Sequence, residues 1–85
     1  MARYKIEIKK SAVRELEAIP AKDLSRIMER IESLSRNPRP EGSKKLSGEE
    51  KYRIRQGNYR ILYLIEDDLL VVYLVKVAHR RDVYR

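Results

Sequence analysis

The 85-residue chain contains no cysteine. Disulfides, thiolate metal sites and a cysteine nucleophile are therefore excluded. It contains one histidine, His79. A histidine-cluster metal site is excluded with it, and a serine–histidine triad would have that single ring to use. Glycine and proline are scarce, three of each, and two of each fall within residues 37–48. That stretch, NPRPEGSKKLSG, is the one loop-like part of the chain. Long apolar runs are missing as well. The longest, 69–75, has seven residues, against the roughly 20 a membrane-spanning helix needs. The first residues lack the apolar core of a signal peptide. The expected setting is the cytoplasm.

What the chain does carry is positive charge. Twenty Lys and Arg stand against thirteen Asp and Glu, a formal +7. The surplus is no tail: residues 1–42 hold ten basic and seven acidic groups, residues 43–85 ten and six. Its local extreme is 51–60, KYRIRQGNYR, with four positive charges and no acid. Such a balance points to an anionic partner, whether nucleic acid, an acidic protein or a membrane surface. The length implies one domain, 1–85, burying about 60–65% of the surface its unfolded form exposes. One modest core fits; a large internal substrate chamber does not.

Residues 3–9, RYKIEIK, alternate, with Tyr4, Ile6 and Ile8 on one side, which predicts a strand with one wet face. Ser11 is a plausible N-cap for a short helix with Val13, Leu16 and Ile19 as its apolar stripe, ended by Pro20. A second helix is expected over about 21–36. Leu24, Ile27, Met28, Ile31 and Leu34 fall on one stripe of a 3.6 period, while Glu29, Arg30, Glu32 and Arg36 lie off it. The loop at 37–48 is expected to be tacked down, with Leu46 as one attachment. From Lys51 onward the pattern is all strand. Tyr52 and Ile54 alternate with Lys51, Arg53 and Arg55. Gly57-Asn58 reads as a two-residue hairpin loop, and Tyr59, Ile61, Tyr63 and Ile65 continue the face of Tyr52 and Ile54. Glu66-Asp67-Asp68 is the next turn. Residues 69–77 are apolar on both faces, the mark of a strand with neighbours on both sides. The last piece, AHRRDVYR, fits a strand end or a single turn. The order β-α-α-β-β-β predicts an α+β fold: a mostly antiparallel twisted sheet with an N-terminal helical hairpin packed on one face.

The hairpin register carries the sharpest inference. With Gly57-Asn58 as the loop, Gln56 pairs Tyr59, Arg55 pairs Arg60, Ile54 pairs Ile61 and Arg53 pairs Leu62. Arg55 and Arg60 then stand opposite each other on one face, with Arg53 two residues away. Like charges directly opposite on a sheet are destabilising. A bound phosphate would reverse the sign, because guanidinium forks match phosphate oxygens bidentately. The competing reading is a solvated outer face, or arginines countered by Glu49, Glu50 or the acidic turn. Arg80, Arg81, Tyr84 and Arg85 form a second cluster. An aromatic beside arginines suits stacking of a single-stranded base; equally, Tyr84 is placed to anchor a chain end. His79 is either a proton-transfer group or a polar residue at a strand end. Lys44 and Lys45 in the loop could track a phosphate backbone, or be merely solvated.

The run YRIRQGNYRILY, followed after an acidic turn by an apolar strand and VAHRRDVYR, resembles the RelE toxins of the RelE/ParE superfamily. RYKIEIKKSAVRELEAIP and the 37–48 loop fit as well, so the resemblance covers nearly the whole chain. It implies a RelE-like fold and the toxin of a type II toxin–antitoxin pair, a metal-independent endoribonuclease that cuts mRNA in the ribosomal A site. A RelB-like antitoxin would cover the arginines, and neither a cofactor nor a membrane is involved. The chemistry implied is attack of a ribose 2′-OH on the adjacent phosphate, giving a 2′,3′-cyclic phosphate and a 5′-OH. The family's basic and aromatic positions fall on Arg53, Arg55, Arg60, Arg80 and Tyr84. Arg60 would stabilise the pentavalent phosphate, Arg80 would serve the leaving 5′-oxygen, Tyr84 would stack on a base, and Arg53 and Arg55 would hold the backbone. Lys44, Lys45, Lys51 and Arg81 would add RNA contacts. The chain departs from the family where lysines often replace Arg53 and Arg55, one of them a proposed general base. Arginine, with a pKa above about 12, is a poor base. His79 lies where related toxins place a histidine thought to act in catalysis and is the substitute candidate, with Lys51 behind it. Two other functions compete: a ParE-like gyrase poison, whose family generally lacks the full five-position set, and a non-catalytic nucleic-acid-binding module.

Overall fold

A computed structural model describes residues 3–46 and 50–83. The elements run β1 (Lys5–Ile8), α1 (Lys10–Glu17), α2 (Ala21–Ser33), β2 (Lys44–Lys45), β3 (Lys51–Gln56), β4 (Tyr59–Glu66), β5 (Val71–His79) and the single turn α3 (Arg80–Val83). The five strands form one sheet in the order β1-β5-β4-β3-β2, antiparallel except where β1 runs parallel to β5. One face of the sheet is covered by α1, against β5, and α2, against β3. The α+β architecture is the one the sequence predicts.

The core lies between that face and the helices. Ile27, Ile31 and Leu34 of the second helical stripe meet Ile54, Ile61, Tyr63, Val72, Leu74 and Val77, all within 3% of fully buried. Each such side chain contributes roughly 1.5–3 kcal/mol by leaving water. Helix α2 starts at Ala21 after its N-cap Pro20, whose carbonyl accepts the Leu24 N–H at 2.9 Å, and stops at Ser33, short of the expected 36. Ser33 and Ser35 hydroxyls turn back onto the carbonyls of Arg30 and Glu32 at 2.6 and 2.7 Å, competing with continuation of the helix. Met28 sits on the rim of the stripe and stays 41% exposed.

Helix α1 differs more from its expected form. It begins at Lys10 with Lys9 as N-cap and no side-chain cap, so Ser11 lies inside the first turn. Its buried residues are Ala12 and Leu16, while Val13 faces out. The methyl of Ala12 permits close approach to β5, and this sets the helix rotation. The neighbouring Glu15 then reaches the sheet edge, where its carboxylate accepts the Val77 N–H at 2.9 Å and meets Lys76 Nζ at 3.0 Å.

The β3–β4 register is the predicted one, residue for residue from Lys51↔Leu64 to Gln56↔Tyr59. Gly57, at the first loop position, has φ +59, a conformation open to glycine at little cost. Strand β5 lies between β1 and β4, as its two apolar faces predicted. It starts at Val71, however, and Leu69 is 73% exposed in the turn. Leu70 adopts φ +54 and redirects the chain there, with its carbonyl accepting the Lys5 N–H at 2.7 Å.

Strand β5 also carries a bulge: Leu62 pairs Lys76 but Tyr63 pairs Leu74, leaving Val75 extra. The core-facing positions therefore switch from Val72 and Leu74 to Val77 and His79. The 37–48 stretch holds an unforeseen short strand, β2, paired antiparallel to β3, with Leu46 N–H bonded to the Lys51 carbonyl at 2.8 Å. Two consecutive lysines offer no apolar alternation from which to read a strand.

Candidate anion-binding cleft

Strand parity places Arg53, Arg55 and Arg60 together on the sheet face away from the helices. Arg55 and Arg60 are direct cross-strand partners, and Arg53 faces Leu62 on one side and Lys44 on the other. Arg60 is only 6% exposed, Arg53 is half-buried and Arg55 is open to solvent. The third element arrives from β5. Arg80 follows the strand's last residue, and its backbone N–H donates to the Asn58 carbonyl at 2.7 Å. That bond ties the start of α3 to the hairpin loop. The result is a shallow cleft of about 150 Å³ lined by Arg55, Arg60 and Arg80 with Gly57, Asn58 and Tyr59.

Several of the acidic groups near the sheet are engaged with other cations. Asp67 binds Arg39 bidentately, at 2.9 and 3.3 Å, and accepts the Tyr4 hydroxyl at 2.7 Å. Glu50 pairs with Lys45 at 3.6 Å and Glu15 with Lys76. Glu49 lies outside the described residues. Among the described residues, Arg53, Arg55 and Arg80 form no ion pair with a carboxylate. Arg55 and Arg80, without a carboxylate partner among the described residues, favour an external anion, and a phosphodiester presents the oxygens their forks fit.

The other predicted residues divide by face. Lys44 is exposed opposite Arg53, and Lys51, half-buried opposite Leu64, is on the same outer face. Lys45 pairs with Tyr52 and so belongs to the helix side. His79 also goes to the helix side, opposite Tyr59, whose ring it meets edge to face with centroids 5.3 Å apart. It is not a lining residue of the arginine cleft. Arg81 is exposed on α3. Tyr84 lies outside the described residues. The sequence marks Asn58 as a hairpin-loop residue only; that its carbonyl holds Arg80 follows from the hairpin geometry.

A second polar cluster, at the other end of the hairpin, was not foreseen. Besides Asp67, Arg39 contacts Tyr52, donating through Nε to the phenol oxygen at 3.1 Å and lying 5.3 Å from the ring centroid. Hydrogen bonding to Asp67 and then Tyr52 holds the guanidinium more firmly protonated than usual. The Asp67 carboxyl is held below its ordinary range, by Arg39 first and Tyr4 second. The Tyr4 phenol is raised, chiefly because it donates to Asp67. Tyr52 stacks on Tyr63 at 5.9 Å, and the Tyr63 hydroxyl donates to the Pro38 carbonyl at 2.8 Å. Burial pushes the Tyr63 phenol up to about 12. This cluster fastens the 37–48 loop to the sheet.

Residues 6–84 match the family model described as the ParE toxin of type II toxin–antitoxin system, parDE. The toxin RelG of Mycobacterium tuberculosis is 34% identical over 86 residues, spanning 96% of this chain and 97% of the relative. The toxin–antitoxin complex RelBE2 from the same organism contains a chain with TM-score 0.84 and 33% identity, covering 96% of this chain and 97% of its own. The archaeal RelE–RelB complex from Pyrococcus horikoshii OT3 gives TM-score 0.84 at 28% identity, covering 94% and 98%.

Proposed function

The chain belongs to the RelE/ParE superfamily of type II toxin–antitoxin toxins, and from that premise we propose that it cuts mRNA held in the ribosomal A site. The observation that carries this reading is the convergence of Arg55, Arg60 and Arg80 from three elements on one outer-face cleft. In the proposed reaction a ribose 2′-oxygen attacks the adjacent phosphorus and the P–O5′ bond breaks. A 2′,3′-cyclic phosphate and a 5′-OH result. Arg60 stabilises the equatorial oxygens of the pentavalent phosphate, where charge develops. Arg80 hydrogen-bonds the departing 5′-oxygen, which takes its proton from solvent. Arg53 and Arg55 hold the backbone and lower the energy of the 2′-oxyanion, whose proton passes to solvent. Guanidiniums supply the charge stabilisation, and no metal is assigned a role. Tyr84 stacks on an mRNA base, while Lys44, Lys51 and Arg81 contact flanking phosphates. The reaction takes place where ribosomes are, in the cytoplasm.

The partner is a RelB-like antitoxin that lies over the outer face and covers the arginines. The relatives seen in complex with RelB support this, as does the row of cations at Lys44, Arg53 and Arg55, which form no ion pair among the described residues. The matching ParE family model favours a second reading, gyrase inhibition. One experiment separates the two. The purified chain and its Arg60→Ala variant are added to programmed ribosomes, with mRNA 5′ ends mapped, and in parallel to gyrase with relaxed plasmid. Codon-position cuts lost in Arg60→Ala support the nuclease. Intact mRNA with blocked supercoiling supports the gyrase poison instead.

A further inference from the structure

His79 is the last residue of β5 and directly precedes α3. Its imidazole Nδ1 accepts the backbone N–H of Arg81 at 3.3 Å. An imidazole accepting at Nδ1 in its neutral form carries its proton on Nε2. The side chain of a residue just ahead of a helical turn, bound to the N–H of the turn's second residue, is an N-cap. The first N–H of the turn, from Arg80, is taken by the Asn58 carbonyl. The two leading amides of α3 are thus anchored at two points, the hairpin loop and the His79 ring. The ring is itself braced against Tyr59.

We propose that His79 is a positioning residue, the neutral N-cap that aims Arg80 into the cleft with Arg55 and Arg60, and not the carrier of the substrate proton. The proposal rests on the reading that Arg80 acts on a phosphodiester in that cleft. The ring sits on the helix side of the sheet, away from the arginine face. The one basic lone pair, on Nδ1, accepts a main-chain N–H, and Nε2 carries the proton, so taking a substrate proton would break that bond. The cavity beside the ring, about 390 Å³, also presents Glu15 and Lys76. Glu15 is engaged by Val77 N–H and Lys76 Nζ, and among the described residues it makes no hydrogen bond to the imidazole.

The test compares His79→Asn with His79→Ala in the full chain. Asparagine keeps a short acceptor suited to an N-cap but cannot shuttle a proton. On programmed ribosomes His79→Asn is expected to cleave within about threefold of wild type, and His79→Ala about tenfold more slowly, a typical cap loss. Amide exchange at Arg81, followed by NMR, should accelerate in the alanine variant and recover in the asparagine one. An asparagine variant as slow as the alanine variant, yet with Arg81 protected, overturns the proposal in favour of proton transfer. So do two variants that exchange and cleave like wild type. Should His79→Ala fail to fold, His79→Asn alone decides on the same criteria. If the wild-type chain leaves mRNA intact, the cleavage reading fails by itself. Arg81 exchange then still judges the cap, supporting it if restored by asparagine and overturning it if unchanged in both variants.

Discussion

Arg39 and Arg55 are both exposed arginines, one bound at the open end of the β3–β4 hairpin and one beside its turn. Arg39 has a bidentate carboxylate, a phenol acceptor and an aromatic face. Arg55 faces another arginine across the ladder and has no carboxylate among the described residues. The same side chain is a staple at one end and an uncompensated cation at the other. A protein that can satisfy a guanidinium so fully at Asp67 does not leave Arg55 without a carboxylate among the described residues for lack of acids. Under the proposed function, that difference suits the turn end of the sheet to an external anion.

The largest effect should come from exchanging the roles of the two ends. Arg80→Ala is expected to slow cleavage about 10²-fold, the scale for losing one preorganised charge-stabilising donor, with little change in thermal unfolding. Arg39→Ala should do the reverse, lowering the melting temperature and sparing cleavage. Single-turnover cleavage and calorimetry on both variants would check this. If Arg80→Ala cleaves at the wild-type rate, the two ends of the hairpin do not differ in the way argued.

Tyr63 anchors the stapled end, and Tyr63→Phe leaves the buried Pro38 carbonyl without its phenol donor. A loss of about 1–3 kcal/mol is expected, read from denaturant unfolding. The phenol's raised value, about 12, fixes the sign in alkali. A neutral phenol favoured in the fold stabilises fully below the unfolded value near 10, and this contribution disappears as pH rises toward 12. The gap between wild type and Tyr63→Phe should therefore narrow across that window; a constant gap would assign the loss to packing alone.

Asp67→Asn should cost less, because the pair is solvent-exposed and screened. The Asp67 carboxyl is depressed by Arg39 and then Tyr4. Its contribution is thus present above the unfolded carboxyl value, near 3.9, and is lost as pH falls through the folded one. Wild type and Asp67→Asn should melt apart at pH 7 and converge in strong acid, and added salt should shrink the gap at pH 7. No convergence in acid would mean that Asp67 holds the loop by geometry and not by charge.

The legible parts of this fold were those with local rules. Gly57-Asn58 sets the hairpin register, and the register puts Arg55 opposite Arg60. The helical stripe of Ile27, Ile31 and Leu34 and the inner place of β5 followed from periodicity. What escaped depends on long-range geometry. The Val75 bulge reverses the facing of the end of β5, so that carrying the parity of Val72 and Leu74 forward would have put His79 beside the arginines. The rotation of α1, which turns Ala12 inward and Val13 outward, is set by its fit against β5. The Arg39 cluster joins Tyr4 just ahead of β1, the loop, β3 and the β4–β5 turn, and no spacing in the sequence encodes that meeting.

The smallest effect is expected at Leu70, in the turn that presents Asp67. Its φ of +54 is left-handed, which costs an ordinary side chain roughly 1–2 kcal/mol. Glycine would remove that strain but widen the freedom of the unfolded chain by an amount worth about 0.4–1 kcal/mol, leaving little net gain. Asparagine tolerates the same φ without that penalty. Leu70→Asn gives up some apolar contact, since Leu70 is 38% exposed and not fully free. A gain of a few tenths of a kcal/mol is therefore expected, within the ordinary range for surface changes. Cleavage should not move, because the cleft is assembled from β3, β4 and the start of α3. A Leu70→Asn variant more stable but slower on ribosomes would mean that the stapled end and the anion-binding end are coupled through β4, and that the contrast between them is one of degree.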